Sequence, residues 1–223
     1  MAHNISVLIS VHGLPSNHSD YTQSLNFALL LSALDHIMER YHPQTHFIGI
    51  EIMAPQFNAQ PYPSNLVNYY LQAYHIIRSH SLSIYFIIHE KSHWWIGFWR
   101  QQLQEPIYYN VMMDLHLSLF YRNLRSENYS EFNYDVQTWQ MRMRMEGVFK
   151  PIIVGAWSFV PSDGNSSLVP RAQKQRLVHE QILAMRYALG SYLWAWKIHK
   201  NHDISYDNSV QDQLSREDGL KYE

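Results

Sequence analysis

Residues 5–12, ISVLISVH, and residues 46–53, HFIGIEIM, decide the fold, because both are short apolar runs rich in β-branched side chains. Between them, from about Tyr21 to Tyr41, apolar residues recur at the three- and four-residue spacing of a helix. A strand, a helix and a second strand in this order are typical of a βαβ unit. The first part of the chain therefore predicts the beginning of an α/β fold.

The same alternation continues to about residue 197. Further strands are predicted at 81–89 (SLSIYFIIH), 108–116 (YYNVMMDLH), 151–158 (PIIVGAWS) and 191–197 (SYLWAWK), and further helices at about 65–80, 93–103, 131–149 and 171–189. Six strands and five intervening helices imply a parallel sheet covered by helices, either doubly wound or closed as a barrel. Hydrophobic periodicity does not choose between these two architectures.

Composition limits the classes of function. With 223 residues and 46% hydrophobic content, we predict one domain over residues 1–207 and a polar tail over 208–223. A formal charge of −2 without a long basic run argues against nucleic acid and anionic membranes as partners. The absence of cysteine excludes thiolate chemistry. We expect no cofactor, because no glycine-rich phosphate-binding motif follows a strand.

The sequence shows neither a membrane-spanning segment nor a secretion signal. No apolar run reaches the roughly 20 residues that cross a bilayer, so we predict no transmembrane segment. The first residues, MAHNISVLISVHG, lack a basic leader region and a small-residue cleavage site. We therefore favour an intracellular or organellar location, with the compartment left open.

Six motifs stand at the predicted strands in a fixed order: VLISVHGLP (7–15), ERYHPQTHFIGIEIMAP (39–55), SIYFIIHEKSHWWIGF (83–98), NVMMDLHLSLF (110–120), PIIVGAWS (151–158) and GSYLWAWK (190–197). Together they resemble strands three to eight of the exo-β-1,3-glucanase branch of glycoside hydrolase family 5. The resemblance implies an α/β fold derived from the (β/α)8 TIM barrel. That fold would be incomplete, with about six parallel strands and outer helices, and would lack strands one and two.

The resemblance also places alanine where the family has its two catalytic glutamates. Ala54 precedes Pro55 in place of Asn-Glu-Pro, and Ala156 occupies the position of the nucleophile. Retaining glycosidases need two carboxyl groups about 5 Å apart, and alanine supplies neither. The resemblance therefore implies a non-catalytic pseudoenzyme. The alternative is a residual β-glucan hydrolase in which Glu51, Glu90 or Asp114 stands in.

Four other residues match the family's cleft: His12, His116, Trp157 and Trp194. In one interpretation they fill the mouth of a barrel that no longer processes sugar. In the other they still bind a β-glucan through hydrogen bonds and aromatic stacking, helped by Trp94, Trp95 and Trp99.

A competing motif is H-E-x-x-H, formed by His89, Glu90 and His93. On a helix it would place two zinc ligands one turn apart, as in zinc peptidases. The preceding SIYFII is strand-like, so we expect His89 at a strand end. His89 and His93 are therefore weak metal candidates, and no metal site is predicted.

The missing strands suggest a role. Without strands one and two, the third and eighth strands would expose their backbone hydrogen-bonding groups. A protein partner or a second copy of the chain would cover them. The leading hypothesis is a scaffold or interaction subunit of a larger assembly. A glycan-binding module and a residual hydrolase are the alternatives, with a zinc peptidase as a remote one.

Overall fold

The structure, a computed structural model, describes residues 5–11, 24–52, 64–90, 96–116, 129–157 and 171–193. Several predicted site residues lie outside these ranges: His12, Ala54, His93, Trp94, Trp95 and Trp194. The predicted tail over residues 208–223 also lies outside the described residues.

Strands and helices alternate along the described chain. The strands are β1 (Val7–Val11), β2 (Phe47–Ile52), β3 (Tyr85–Glu90), β4 (Val111–His116), β5 (Ile152–Trp157) and β6 (Ser191–Leu193). The helices are α1 (Ser24–Tyr41), α2 (Ser64–His80), α3 (Tyr129–Glu146) and α4 (Arg171–Met185), with a 3-10 helix at Ile96–Arg100 between β3 and β4. The strand order in the sheet is the chain order, and the pairs β1–β2, β2–β3 and β5–β6 are parallel. The predicted fold class, an incomplete (β/α)8-type fold with six strands, is confirmed.

The chain divides into two compact units, Met1–Asp114 and Leu115–Glu223. The boundary falls within β4, so the last two residues of this strand, Leu115 and His116, belong to the second unit. The single domain over residues 1–207 stays a prediction.

In the first unit, α2 forms because its apolar side chains recur every three or four residues. These side chains are all at most 4% exposed: Leu66, Tyr69, Tyr70, Ala73, Tyr74 and Ile77. They pack on one face of the sheet, where the Phe86 ring centroid lies 6.0 Å from that of Tyr70. The Tyr70 hydroxyl also donates to the carbonyl oxygens of Ile52 and His89, each at 3.4 Å. Helix α2 is thereby tied to the carboxyl ends of β2 and β3.

In the second unit, α3 buries one side and exposes the other. Val136, Trp139 and Met143 are at most 6% exposed, whereas Met141 and Met145 are more than half exposed. The three buried residues are spaced three and four positions apart, which places them on one face of the helix. Strand β5 contributes Ile152 and Val154 to the core of this unit.

Within the described ranges, none of the helices is long and apolar enough to cross a membrane.

Candidate functional site

Buried and half-buried polar side chains gather at the carboxyl ends of the first four strands. Ser10 of β1 is the register partner of Glu51 in β2, and Glu51 is the register partner of Ile87 in β3. Because side chains alternate along a strand, His89 lies on the same face as Ile87 and Glu51. Asp114 and His116 stand two residues apart on β4 and also share one face.

Glycine at residue 49 allows the strands beneath this site to pack closely. A Cβ atom at Gly49 would lie 3.3 Å from Ile87 Cδ1 and 3.3 Å from the Tyr85 carbonyl oxygen. Ile87 is fully buried and occupies the space that a larger residue 49 would need. The apolar side chain of Ile87 therefore lies next to the buried polar groups.

Glu51 is the centre of the hydrogen bonds at this site. Its Oε1 atom lies 3.2 Å from His89 Nδ1, and its Oε2 atom accepts a hydrogen bond from the Ser10 hydroxyl. Glu51, His89 and Asp114 are only 2%, 3% and 1% exposed. Burying ionisable groups is costly unless each is paired or hydrogen-bonded, so these contacts are needed for the site to be stable.

Four residues of the site could bind one ion. Glu51, His89, Asp114 and His116 each offer one ligand atom, and these atoms all lie within 4.8 Å of one another. Two imidazoles and two carboxylates form a ligand set that suits a transition metal. We call these four residues the strand-end cluster.

The structure brings some predicted site residues here and leaves others elsewhere. His116, predicted from its match to a cleft histidine, belongs to the strand-end cluster. Trp157 is only 7% exposed on β5. Trp99 is 1% exposed and packs edge-on against the Tyr70 ring, with centroids 5.2 Å apart. Trp99 is therefore a core residue, and the binding of a glycan stays a prediction.

His89 lies on a strand, as the sequence predicts. Strand β3 runs from Tyr85 to Glu90, so the first residues of H-E-x-x-H do not form a helical turn. The metalloprotease motif needs its two histidines one turn apart on a helix. The zinc peptidase interpretation therefore has no support in the described part of the chain.

Sequence reasoning missed that Glu51, His89 and Asp114 meet. It treated Glu51 and Asp114 only as stand-ins for lost catalytic acids, and His89 only within H-E-x-x-H. The signal was present, because all three follow apolar runs at the carboxyl ends of successive parallel strands. Such strand ends converge at one edge of a sheet.

Comparison with known proteins identifies the fold. No protein-family model matches the sequence, and no curated protein does. Among solved structures, the endoglucanase Cel5A from Thermotoga maritima aligns with a TM-score of 0.63 at 14% identity, covering 94% of this chain and 72% of that one. A cellobiose complex of the same enzyme gives 0.61 at 16% identity, covering 88% and 66%. The fold is like that of the family 5 glycoside hydrolases.

A second family 5 enzyme supports the same fold. Endo-glycoceramidase II from Rhodococcus sp., solved as a lactosyl-enzyme intermediate, aligns with a TM-score of 0.58 at 12% identity. The alignment covers 83% of this chain but only 43% of that enzyme. Identities this low carry the family 5 fold and not its activity. The exo-β-1,3-glucanase branch and the loss of catalysis stay predictions.

Proposed function

We propose that this protein is a non-catalytic, glycosidase-derived pseudoenzyme that serves as a scaffold or interaction subunit. The observation that carries the proposal is the burial of Glu51 and Asp114, which are 2% and 1% exposed. These are the carboxylates that the carboxyl ends of β2 and β4 contribute to the strand-end cluster.

Glycoside cleavage requires carboxyl groups that reach the substrate. One protonates the leaving oxygen, and the other attacks the anomeric carbon or activates a water. Both oxygens of Glu51 are instead engaged inside the protein, by the Ser10 hydroxyl and the His89 ring. The sequence also has Ala54 and Ala156 where the family resemblance puts the catalytic glutamates. Both facts support an inert site.

An exposed strand edge supports the role in assembly. In the described part of the chain, β1 pairs with β2 alone, and Val7 at its start is 47% exposed. Proteins usually protect an edge strand with charged residues or proline, but VLISV contains neither. Because each copy carries this edge, two copies can pair through β1 across a twofold axis. We therefore favour a second copy of the chain as the partner.

Turnover of sugar substrates tests the catalytic half of the proposal. Wild-type protein is compared with the double variant Glu51→Gln/Asp114→Asn on aryl β-glucosides and soluble β-glucans. The variant Glu39→Gln is the matched control, because the Glu39 side chain is 76% exposed on α1. We expect all three rates to equal the rate without protein. Turnover by the wild type and by Glu39→Gln that disappears in the double variant would refute the inertness of the site.

Self-association tests the second half. Sedimentation velocity over a range of concentrations should show wild-type protein forming dimers, and Val7→Lys should shift it towards monomer. Leu82→Lys is the control, since Leu82 is 67% exposed in the turn before β3. A wild-type chain that stays a folded monomer at every concentration contradicts the proposed pairing.

A further inference from the structure

The strand-end cluster has a composition that points beyond a lost active site. We infer that Glu51, His89, Asp114 and His116 bind one divalent transition-metal ion of the zinc class. This inference does not depend on the proposed pseudoenzyme role, because a closed set of four protein ligands is typical of a structural metal and leaves no position for substrate.

The spacing of the ligand atoms fits one ion. Zinc binds imidazole nitrogen and carboxylate oxygen at about 2.0–2.1 Å, so two ligands of a tetrahedral ion lie about 3.3 Å apart. His89 Nδ1 and Glu51 Oε1 are 3.2 Å apart. The ligand atoms of Asp114 and His116 complete a group in which no separation exceeds 4.8 Å. An ion at their centre would draw the four ligand atoms closer together.

The charge of a dication matches this ligand set. Two metal-bound carboxylates carry two negative charges, and Glu51 and Asp114 are at most 2% exposed. Buried charges of the same sign within a few ångströms are strongly unfavourable unless they are neutralised. A divalent ion bound by two carboxylates and two neutral imidazoles leaves the site with no net charge.

The ligand types select the class of metal. Magnesium and calcium prefer oxygen ligands alone, whereas imidazole suits zinc, copper, iron and nickel. The chain has no cysteine, so no thiolate completes this site. Ser10 fits a supporting role, because its hydroxyl donates to Glu51 Oε2 and orients the carboxylate.

Cobalt provides a direct readout. Full-length protein stripped with a chelator is titrated with Co²⁺, and the visible absorption of tetrahedral Co²⁺ is followed. We expect one Co²⁺ per chain, displaced by one Zn²⁺, because zinc binds such sites more tightly than cobalt. Uptake of less than one equivalent by the wild-type chain would overturn the inference.

Variants identify the ligands among the chain's 14 histidines. His89→Gln and Asp114→Asn should each weaken Co²⁺ binding by at least tenfold, and Ser10→Ala by about tenfold. The control is His46→Gln, because His46 is exposed and lies outside the strand-end cluster. Unchanged binding in His89→Gln and Asp114→Asn would mean that the ion sits elsewhere.

X-ray absorption on the zinc-loaded wild type keeps the inference testable when a variant does not fold. We expect two imidazole nitrogens and two carboxylate oxygens around zinc at about 2.0 Å. A shell with three or more imidazoles would overturn the assignment. None of these measurements depends on glycosidase activity. A failure to bind metal would therefore leave the pseudoenzyme proposal standing. Turnover of a sugar substrate would likewise leave the metal-site inference standing.

Discussion

At the residue scale, the buried phenol of Tyr69 makes the stability of the fold depend on pH in the alkaline range. Tyr69 is 1% exposed and stacks on Phe27 with ring centroids 4.6 Å apart. Among the described residues, no group accepts or donates a hydrogen bond at its hydroxyl. Burial raises the pKa of Tyr69 above its ordinary value of about 10. The folded protein therefore holds this proton more tightly than the unfolded chain does.

Proton linkage determines whether this stability rises or falls with pH. The contribution of Tyr69 to stability is complete below about pH 10 and is lost as the pH rises above that value. Tyr69→Phe should flatten the fall in the free energy of unfolding between pH 9 and about pH 11. It should also raise this free energy by about 1 kcal/mol at neutral pH, since a buried unbonded hydroxyl is removed. Urea unfolding at several pH values measures both effects.

The control for Tyr69 is Tyr41→Phe, because Tyr41 is 39% exposed. Equal alkaline slopes for wild type and Tyr69→Phe would show that the phenol does not titrate on unfolding.

Glu51 should matter for stability more than an exposed acid does. Glu51→Ala leaves His89 and the Ser10 hydroxyl without their carboxylate, and breaking a buried pair in this way costs about 3 kcal/mol. Glu39→Ala should change the free energy of unfolding by less than about 0.5 kcal/mol, because its side chain is 76% exposed. Urea denaturation of both variants gives the comparison. Similar losses in the two variants would contradict a buried role for Glu51.

Single residues were predicted unevenly from the sequence. Alternation in HFIGIEIM placed Glu51 in a strand but did not show that its carboxylate is buried. Its burial depends on Ser10 and His89, which lie 41 and 38 residues away in the chain. His116 was found through the family motif, which already encodes contacts between distant strands.

At the element scale, Arg78 joins the end of α2 to the segment before β4. Its guanidinium donates to the carbonyl oxygens of Ser81, Ile84, Tyr109 and Asn110 at 3.1, 2.9, 2.8 and 3.4 Å. It also lies 4.8 Å from the ring centroids of both Tyr74 and Tyr109. The planar guanidinium suits this set of acceptors, which an ammonium group cannot span.

Replacing Arg78 should therefore loosen the elements it joins. Arg78→Lys should lower the free energy of unfolding by about 2 kcal/mol, since most of the charged hydrogen bonds are lost. Hydrogen exchange should also quicken at the Phe86 amide, which donates to the Asn110 carbonyl at 2.9 Å. Arg40→Lys is the control, because Arg40 is exposed on α1. Unchanged exchange at Phe86 in Arg78→Lys would contradict the joining role.

Element positions were largely predictable, and some helix ends were not. Helix α2 is predicted from about residue 65 and begins at Ser64, so its start agrees with the prediction. Helix α3 was predicted to reach residue 149 but ends at Glu146. A Cβ atom at Gly147 would lie 2.8 Å from the Met143 carbonyl oxygen, so only glycine fits where this helix ends. The short helix predicted over residues 93–103 contains a five-residue 3-10 helix, Ile96–Arg100.

At the scale of the whole molecule, alternation of strands and helices predicted an α/β fold with a parallel sheet. It did not distinguish a barrel-type fold from a doubly wound one, because both bury strands on two faces. The six ordered motifs made that choice, and the alignment with Cel5A agrees with it. Function was harder to predict, because activity depends on a few carboxylates and not on the fold.

Trapping of a glycosyl-enzyme tests the central claim most directly. An activated 2-deoxy-2-fluoro β-glucoside leaves its sugar attached to the nucleophilic carboxylate of a retaining glycosidase, the mechanism that uses a covalent intermediate. Intact mass spectrometry of the full chain after this treatment should give the mass of the untreated protein. A stoichiometric sugar adduct on Glu51, Asp114 or any other carboxylate would contradict the account.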